Sequence, residues 1–166
     1  MNANSEKKKT AKKIILYLSV AIIFLAAAAQ VYQPDFQNPQ TEPEVSLMNS
    51  DKLPDQVKAV LSNSCSDCHS NETKYPWYSK ISPISWYMNS HIIEGRQALN
   101  LSIWESYSKQ RKSRKLTEIC EQVESKEMPL SSYSLIHRDA ALTDQQIKLI
   151  CEWTNAEILR LESETK

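Results

Sequence analysis

The chain has 166 residues with 20 basic and 20 acidic side chains, a length that suits one folded domain once an N-terminal segment is set aside. Its charge is balanced overall but uneven, because Lys7, Lys8, Lys9, Lys12 and Lys13 crowd the start. An apolar run begins at once behind them, which excludes nucleic-acid binding as the purpose of that cluster and instead marks residues 1–13 as the cytoplasmic flank of a membrane segment.

Residues 14–32, from Ile14 through Ala27-Ala28-Ala29 to Tyr32, are almost wholly apolar. At about 1.5 Å per residue they reach about 28 Å, close to the hydrocarbon thickness of a bilayer. A single transmembrane anchor is expected; a cleaved signal segment is the alternative, since the three alanines satisfy the small-residue rule for cleavage. Both put the rest of the chain outside the cytoplasm. Residues 33–50 contain three prolines and no apolar periodicity, so an extended linker is predicted there. A folded domain is expected over 51–162.

Pro54 suits a first helical turn, and Val57, Val60 and Leu61 share one face of the helix that follows. That helix delivers Cys65-Ser66-Asp67-Cys68-His69. C-x-x-C-H is the spacing that attaches a haem covalently. The two thiols face the two vinyl groups of a porphyrin, and His69 is carried under the iron as proximal ligand. One covalent haem c is the expected cofactor.

Ser82-Pro83 looks like an N-cap with proline at the first helical position. Ile84, Tyr87, Met88, His91, Ile92 and Leu99 then recur at helical steps, to about Asn100. Gly95 is the only glycine in the chain and implies close approach of the backbone to something flat, since glycine within a helix costs about 1 kcal/mol against alanine. Ser102-Ile103-Trp104-Glu105 has the pattern of a capping box. Its helix would place Leu116, Ile119, Cys120 and Val123 on one face and leave 109–115 solvated, ending before Met128-Pro129. A second capping box, Thr143 with Gln146, opens a terminal helix, stapled by Leu142 and Ile147. No strand pattern is visible, and the fold class is all-α. Cys120 and Cys151 either pair or are simply buried; the sequence leaves both open.

Met128 is the first candidate for the second axial position, because it sits on a loop beside proline and Met/His ligation is the cytochrome c arrangement. His91, on an apolar helix face, and His137, in the loop before the last helix, are the alternatives. Arg96 is the candidate partner for a haem propionate. Trp77 and Trp86, within an aromatic set that also holds Tyr75, Tyr78, Trp104, Tyr107 and Tyr133, are candidate haem contacts.

The motif Asn63-Ser-Cys-Ser-Asp-Cys-His-Ser-Asn71, with Tyr75-Pro-Trp-Tyr-Ser79, Pro83-Ile-Ser-Trp86, His91-Ile-Ile-Glu-Gly-Arg96 and Glu127-Met-Pro-Leu-Ser-Ser-Tyr133, resembles the bacterial haem-binding domain family. Its members are typically membrane-anchored monohaem proteins. The resemblance implies covalent haem and a class I cytochrome-c-like helical domain; the lysine cluster ahead of the apolar run predicts one transmembrane helix before it, a single-pass inner-membrane location and a periplasmic C-terminal part. The resemblance carries no established reaction. One-electron transfer with redox proteins of the periplasm or inner membrane is the leading expectation. A haem-based sensor or small peroxidase-like enzyme with an open or labile distal site is the alternative. No Ser/His/Asp set, phosphate loop or carboxylate pair points to other catalysis.

Overall fold

A computed structural model describes residues 3–164. Helices α1 (Ala3–Ala29), α2 (Asp55–Ser64), α3 (Ser66–His69), α4 (Ile84–Ala98), α5 (Lys109–Glu124), α6 (Ser131–Ile136) and α7 (Asp144–Ser163) are joined by short 3-10 turns. Among the described residues there is no strand, and the fold is all-α. The chain divides into two compact units: residues up to 36 with 76–90, and residues 37–75 with those from 91 onward.

In the first unit, the stretch Lys7–Ala29 of α1 has a mean hydropathy of 2.0 over its apolar window and is long and apolar enough to cross a membrane. Its Ile22, Ile23, Phe24 and Leu25 side chains are all exposed. Leaving such side chains in water forfeits about 1.5–3 kcal/mol each, and their exposure is consistent with a membrane span.

The second unit has an apolar core in two clusters. Val57 and Leu61 of α2 meet Leu101, Trp104, Tyr107, Leu116, Trp153 and Leu161 in the larger one. Val60, Ile119, Val123, Ile150 and Cys151 form the other. The predicted faces of α2 and α5 are therefore the buried ones. Leu47, expected in an extended linker, is buried in the larger cluster, and Pro43–Val45 and Leu47–Asn49 are 3-10 turns. The folded unit thus begins ahead of Asp51, because one leucine in a proline-rich stretch finds a place in the core.

Further elements depart from the sequence reading. Ser102 opens no α-helix: residues Leu101–Ser106 form a kinked 3-10 segment capped by the Asn100 side chain, which accepts from Ser102 N–H. A separate helix, α5, starts beyond it with Ser108 as the cap. The stretch 109–115 is only partly solvated, for Lys112 is buried and ion-paired with Glu105. At α7 the expected capping box of Thr143 and Gln146 is present in both directions. Cys120 and Cys151 are disulfide-bonded, with Cα atoms 4.9 Å apart, linking α5 to α7.

Candidate functional site

Helix α2 does not run through the cysteine motif. It ends at Ser64, Cys65 takes a non-helical conformation at φ −124°, and the single turn α3 follows. Cys65 N–H still bonds to the Leu61 carbonyl and His69 N–H to the Cys65 carbonyl, so the break reorients the motif without releasing it. Ser66 and Ser70 hydroxyls donate to the carbonyls of Leu61 and Ser66 at 3.1 and 2.7 Å. Cys65 and Cys68 are both thiols. Burial, with Cys68 beside it, pushes the Cys65 thiol up to about 12. Burial and Asp67 raise Cys68 as well, against the pull of Arg96. Neither is a ready thiolate at neutral pH, which disfavours a cysteine nucleophile.

His69 is seated by helix α4 and the residue just past its end. Its Nδ1 lies 2.9 Å from the Gly95 carbonyl oxygen and 3.1 Å from that of Leu99. Carbonyl oxygens only accept, so Nδ1 carries the proton and Nε2 keeps its lone pair for a ligand. Burial holds the ring below the ordinary histidine range, although both carbonyls favour its charged form; Lys115 adds to the lowering. The ring is a neutral donor.

Gly95 makes this seat possible. A Cβ there would stand 2.7 Å from the Cys68 carbonyl oxygen and 3.3 Å from the Cys68 Cβ. The expected close approach is therefore to the backbone of the motif itself, and the glycine lets α4 come near enough for its carbonyl to reach His69.

Two adjoining cavities open on this motif. One, about 290 Å³, is lined by Leu61, Cys65, His69, Leu99, Val123 and Met128 among others, with Lys115, Glu118 and Gln122 as its polar groups. The other, about 250 Å³, is bounded by Cys65, Cys68, His69, His91, Met128 and Tyr133 among others. Cofactor sites are mostly apolar clefts with a few placed polar groups, and this pair has that character. Both thiols, the His69 ring, Met128 and His91 are brought to it. Met128 follows α5 on a loop in which both Glu127 and Met128 N–H groups bond to the Gln122 carbonyl. His137 is stacked on Tyr133, ring centroids 4.4 Å apart, and is absent from both linings.

Arg96, expected as a propionate partner, donates through Nε to the Ser70 carbonyl at 2.7 Å and through Nη2 to Asn38 Oδ1 and Thr73 Oγ1 at 2.8 and 2.9 Å. It clamps the loop that leaves the motif. Trp77 and Trp86 belong to the first unit, where Trp77 is largely exposed and Trp86 Nε1 donates to the Tyr32 carbonyl.

Sequence reasoning missed two participants. Asp67, between the cysteines, accepts from Tyr133 Oη at 2.7 Å and from Lys74 N–H at 3.1 Å, tying α6 and the outgoing loop to the motif; Tyr133 itself belongs to the expected aromatic set. Lys115 is the second: half-buried beside Glu118, it is the cation among the groups lining the larger cavity. Its position one residue before buried Leu116 was the available signal. Cys120, Glu124 and Cys151 bring possible metal-ligand atoms within 4.8 Å of one another, but with the sulfurs bonded together only the carboxylate remains a donor.

A family model described as a haem-binding domain matches residues 24–156, a span that contains every residue of this site. No curated protein and no solved structure matches the chain.

Proposed function

As a chain that belongs to the haem-binding domain family, this protein, we propose, is a membrane-tethered haem c protein that exchanges single electrons with redox proteins of the bacterial periplasm or inner membrane. The observation that carries the reading is the seat of His69: a proton fixed on Nδ1 by two carbonyls and a lone pair on Nε2 at a cavity shared with both thiols and Met128. That donor set fits one haem. When bound, haem supplies a one-electron couple, and the protein sets its ligands, burial and access.

Each residue then has a role on its own atoms. Cys65 and Cys68 would each add S–H across a vinyl double bond, closing two thioethers. His69 would give its Nε2 to the iron, and the carbonyls of Gly95 and Leu99 hold its ring in orientation. Met128 is the proposed distal sulfur, with His91 and then His137 as alternatives. Arg96 and Lys115, the second paired with Glu118 at the larger cavity, are the cations that would face a propionate carboxylate. Leu61, Leu99, Ile119 and Val123, which line the larger cavity, would keep water from the ring. The all-α unit, with its motif after the first helix and a Met-Pro loop ahead of the last, is read as the class I cytochrome c plan. The Cys120–Cys151 disulfide suits an oxidising compartment and so supports export.

Expression with cytochrome c maturation machinery tests this. Haem should stay on the chain through denaturing electrophoresis and be lost from that band with Cys65→Ala/Cys68→Ala. Met128→Ala should open the sixth position, lower the potential and admit carbon monoxide to the ferrous form. Haem extracted by acid acetone from matured wild-type protein would overturn covalent attachment. Rapid carbon monoxide binding by the wild type, with peroxide turnover, would replace electron transfer by a sensor or enzyme role.

A further inference from the structure

The first unit holds a surface that the haem reading leaves unused. Just past the end of α1, residues 30–33 are hydrogen-bonded to residues 82–86. Gln30 Nε2 donates to the Ser82 carbonyl and Gln30 Oε1 accepts from Ser82 N–H, both at 3.1 Å. Gln33 Nε2 donates to Ser82 Oγ at 2.9 Å, and Trp86 Nε1 donates to the Tyr32 carbonyl at 2.8 Å. These bonds fix a distant part of the sequence at the mouth of the apolar helix. The 23 residues of its span cover about 34 Å at about 1.5 Å each, so Gln30 to Gln33 emerge at headgroup level.

What the bonded segment presents there is apolar and aromatic. Trp77 is 78% exposed and Tyr87 52%, and Ile81, Ile84 and Trp86 are exposed with them. Scattered single exposures are ordinary, but five large apolar side chains exposed within residues 77–87 are a concentration that points to an interaction surface. Tryptophan and tyrosine are the residues enriched where a bilayer meets water, because each has an apolar body and a polar tip. Trp86 has its N–H satisfied by backbone, which leaves its ring faces for an apolar neighbour.

We propose that residues 76–87 lie in the headgroup layer of the membrane as an interfacial collar at the exit of α1, giving the chain a second, peripheral contact with lipid. The proposal rests on the reading of α1 as a span and is independent of the haem. A protein partner or a second copy is disfavoured, because the hydrogen bonds to residues 30–33 hold the patch where lipid is already the neighbour.

The test uses the full chain in vesicles of phosphatidylcholine and phosphatidylglycerol. A photoreactive benzoylphenylalanine replaces Trp77, Ile81 or Tyr87, with Phe24 inside the span as the positive control. Lipid-mass adducts at all three positions, within a few-fold of the Phe24 yield, are expected. Adducts at Phe24 alone, or crosslinks to protein at 77–87, would overturn the collar. Because a bulky label can disturb folding, bromine-labelled acyl chains provide a second measurement. They should quench tryptophan emission, and Trp77→Phe with Trp86→Phe should lose that quenching; unchanged quenching counts against the proposal. Alkaline carbonate reports the span separately. A chain kept in the membrane without adducts at 77–87 overturns the collar alone, whereas a released chain overturns the span and the collar with it.

Discussion

Helices α5 and α7 and the segment from Cys65 to Tyr75 share one unit but are held by different forces. The helix pair buries Leu116, Ile119 and Val123 with Ile150, Trp153 and Leu161 and adds a disulfide. The motif segment is built on a four-residue turn, too short to be stable by itself. Side-chain hydrogen bonds fasten it instead: Thr73 Oγ1 donates to the Asp67 carbonyl at 2.6 Å, Asn71 N–H to Ser102 Oγ at 2.9 Å, and Asn100 Nδ2 to Asn71 Oδ1 at 2.8 Å. Apolar packing tolerates change of shape, whereas hydrogen bonds specify one geometry. The segment that carries two thiols and an imidazole is built from the second kind, and apolar side chains are left to line its cavity.

The sharpest way to separate these regions is to cut the staple of the first. Cys120→Ser with Cys151→Ser frees a 31-residue separation, and loop entropy predicts a loss of about 3–4 kcal/mol in chemical unfolding. Haem content of the folded fraction should not change. A parallel loss of haem would mean that the two regions are not independent.

Gly95→Ala attacks the other region. Alanine gains about 1 kcal/mol of helix propensity, but its Cβ would meet a backbone carbonyl at 2.7 Å, and overpacking costs about 1–3 kcal/mol. The clash should win, because a backbone atom cannot swing aside as a side-chain tip can. The expected result is a modest fall in melting temperature with a large fall in haem per chain. Wild-type haem content in this variant would show that α4 can retreat without unseating His69.

Arg96→Ala removes the clamp on residues 70–73 and should cost about 1–2 kcal/mol. Hydrogen exchange would locate the effect, with faster amides at 70–74 and little change in α5 and α7. Arg96→Lys should recover only part of it, since one ammonium cannot reproduce the guanidinium fork.

The smallest effect is a pH dependence of the cofactor-free protein. His69 is held below the ordinary histidine value of about 6.5 by burial first, with Lys115 contributing. The unfolded chain therefore binds the proton more readily. The stability that comes from keeping the ring neutral is complete above about pH 6.5 and is lost as pH falls from there toward the lower folded value. Denaturant midpoints measured down through pH 6 should decline, and His69→Gln should flatten that part of the curve.

Residues close in sequence carried much of what was legible. The C-x-x-C-H spacing, the apolar faces of α2 and α5, the Thr143–Gln146 box and the stop before Met128-Pro129 all follow from contacts within a few positions along the chain. Partners fixed by the fold decided the rest. Ser102 matched a capping box, yet its hydroxyl accepts from Asn71 N–H 31 residues away. Arg96 bonds to the Ser70 carbonyl 26 residues away and to Asn38 and Thr73, partners its sequence context does not reveal. Lys112 and Lys115 sit in a charged run, but α5 turns them toward Glu105 and Glu118.

The amino-acid sequence by itself determined that the chain is all-α, that it carries one span-length apolar helix, and that two thiols and an imidazole stand together, because periodicity, run length and a five-residue motif are local properties. Only the tertiary structure decided that Gly95 packs on Cys68, that its carbonyl sets the tautomer of His69, that Cys120 and Cys151 pair, and that Asp67 reaches Tyr133. Each of these joins residues about 25 to 70 positions apart, and at that separation closure is set by the packing of whole helices, for which no short pattern in the sequence is a proxy.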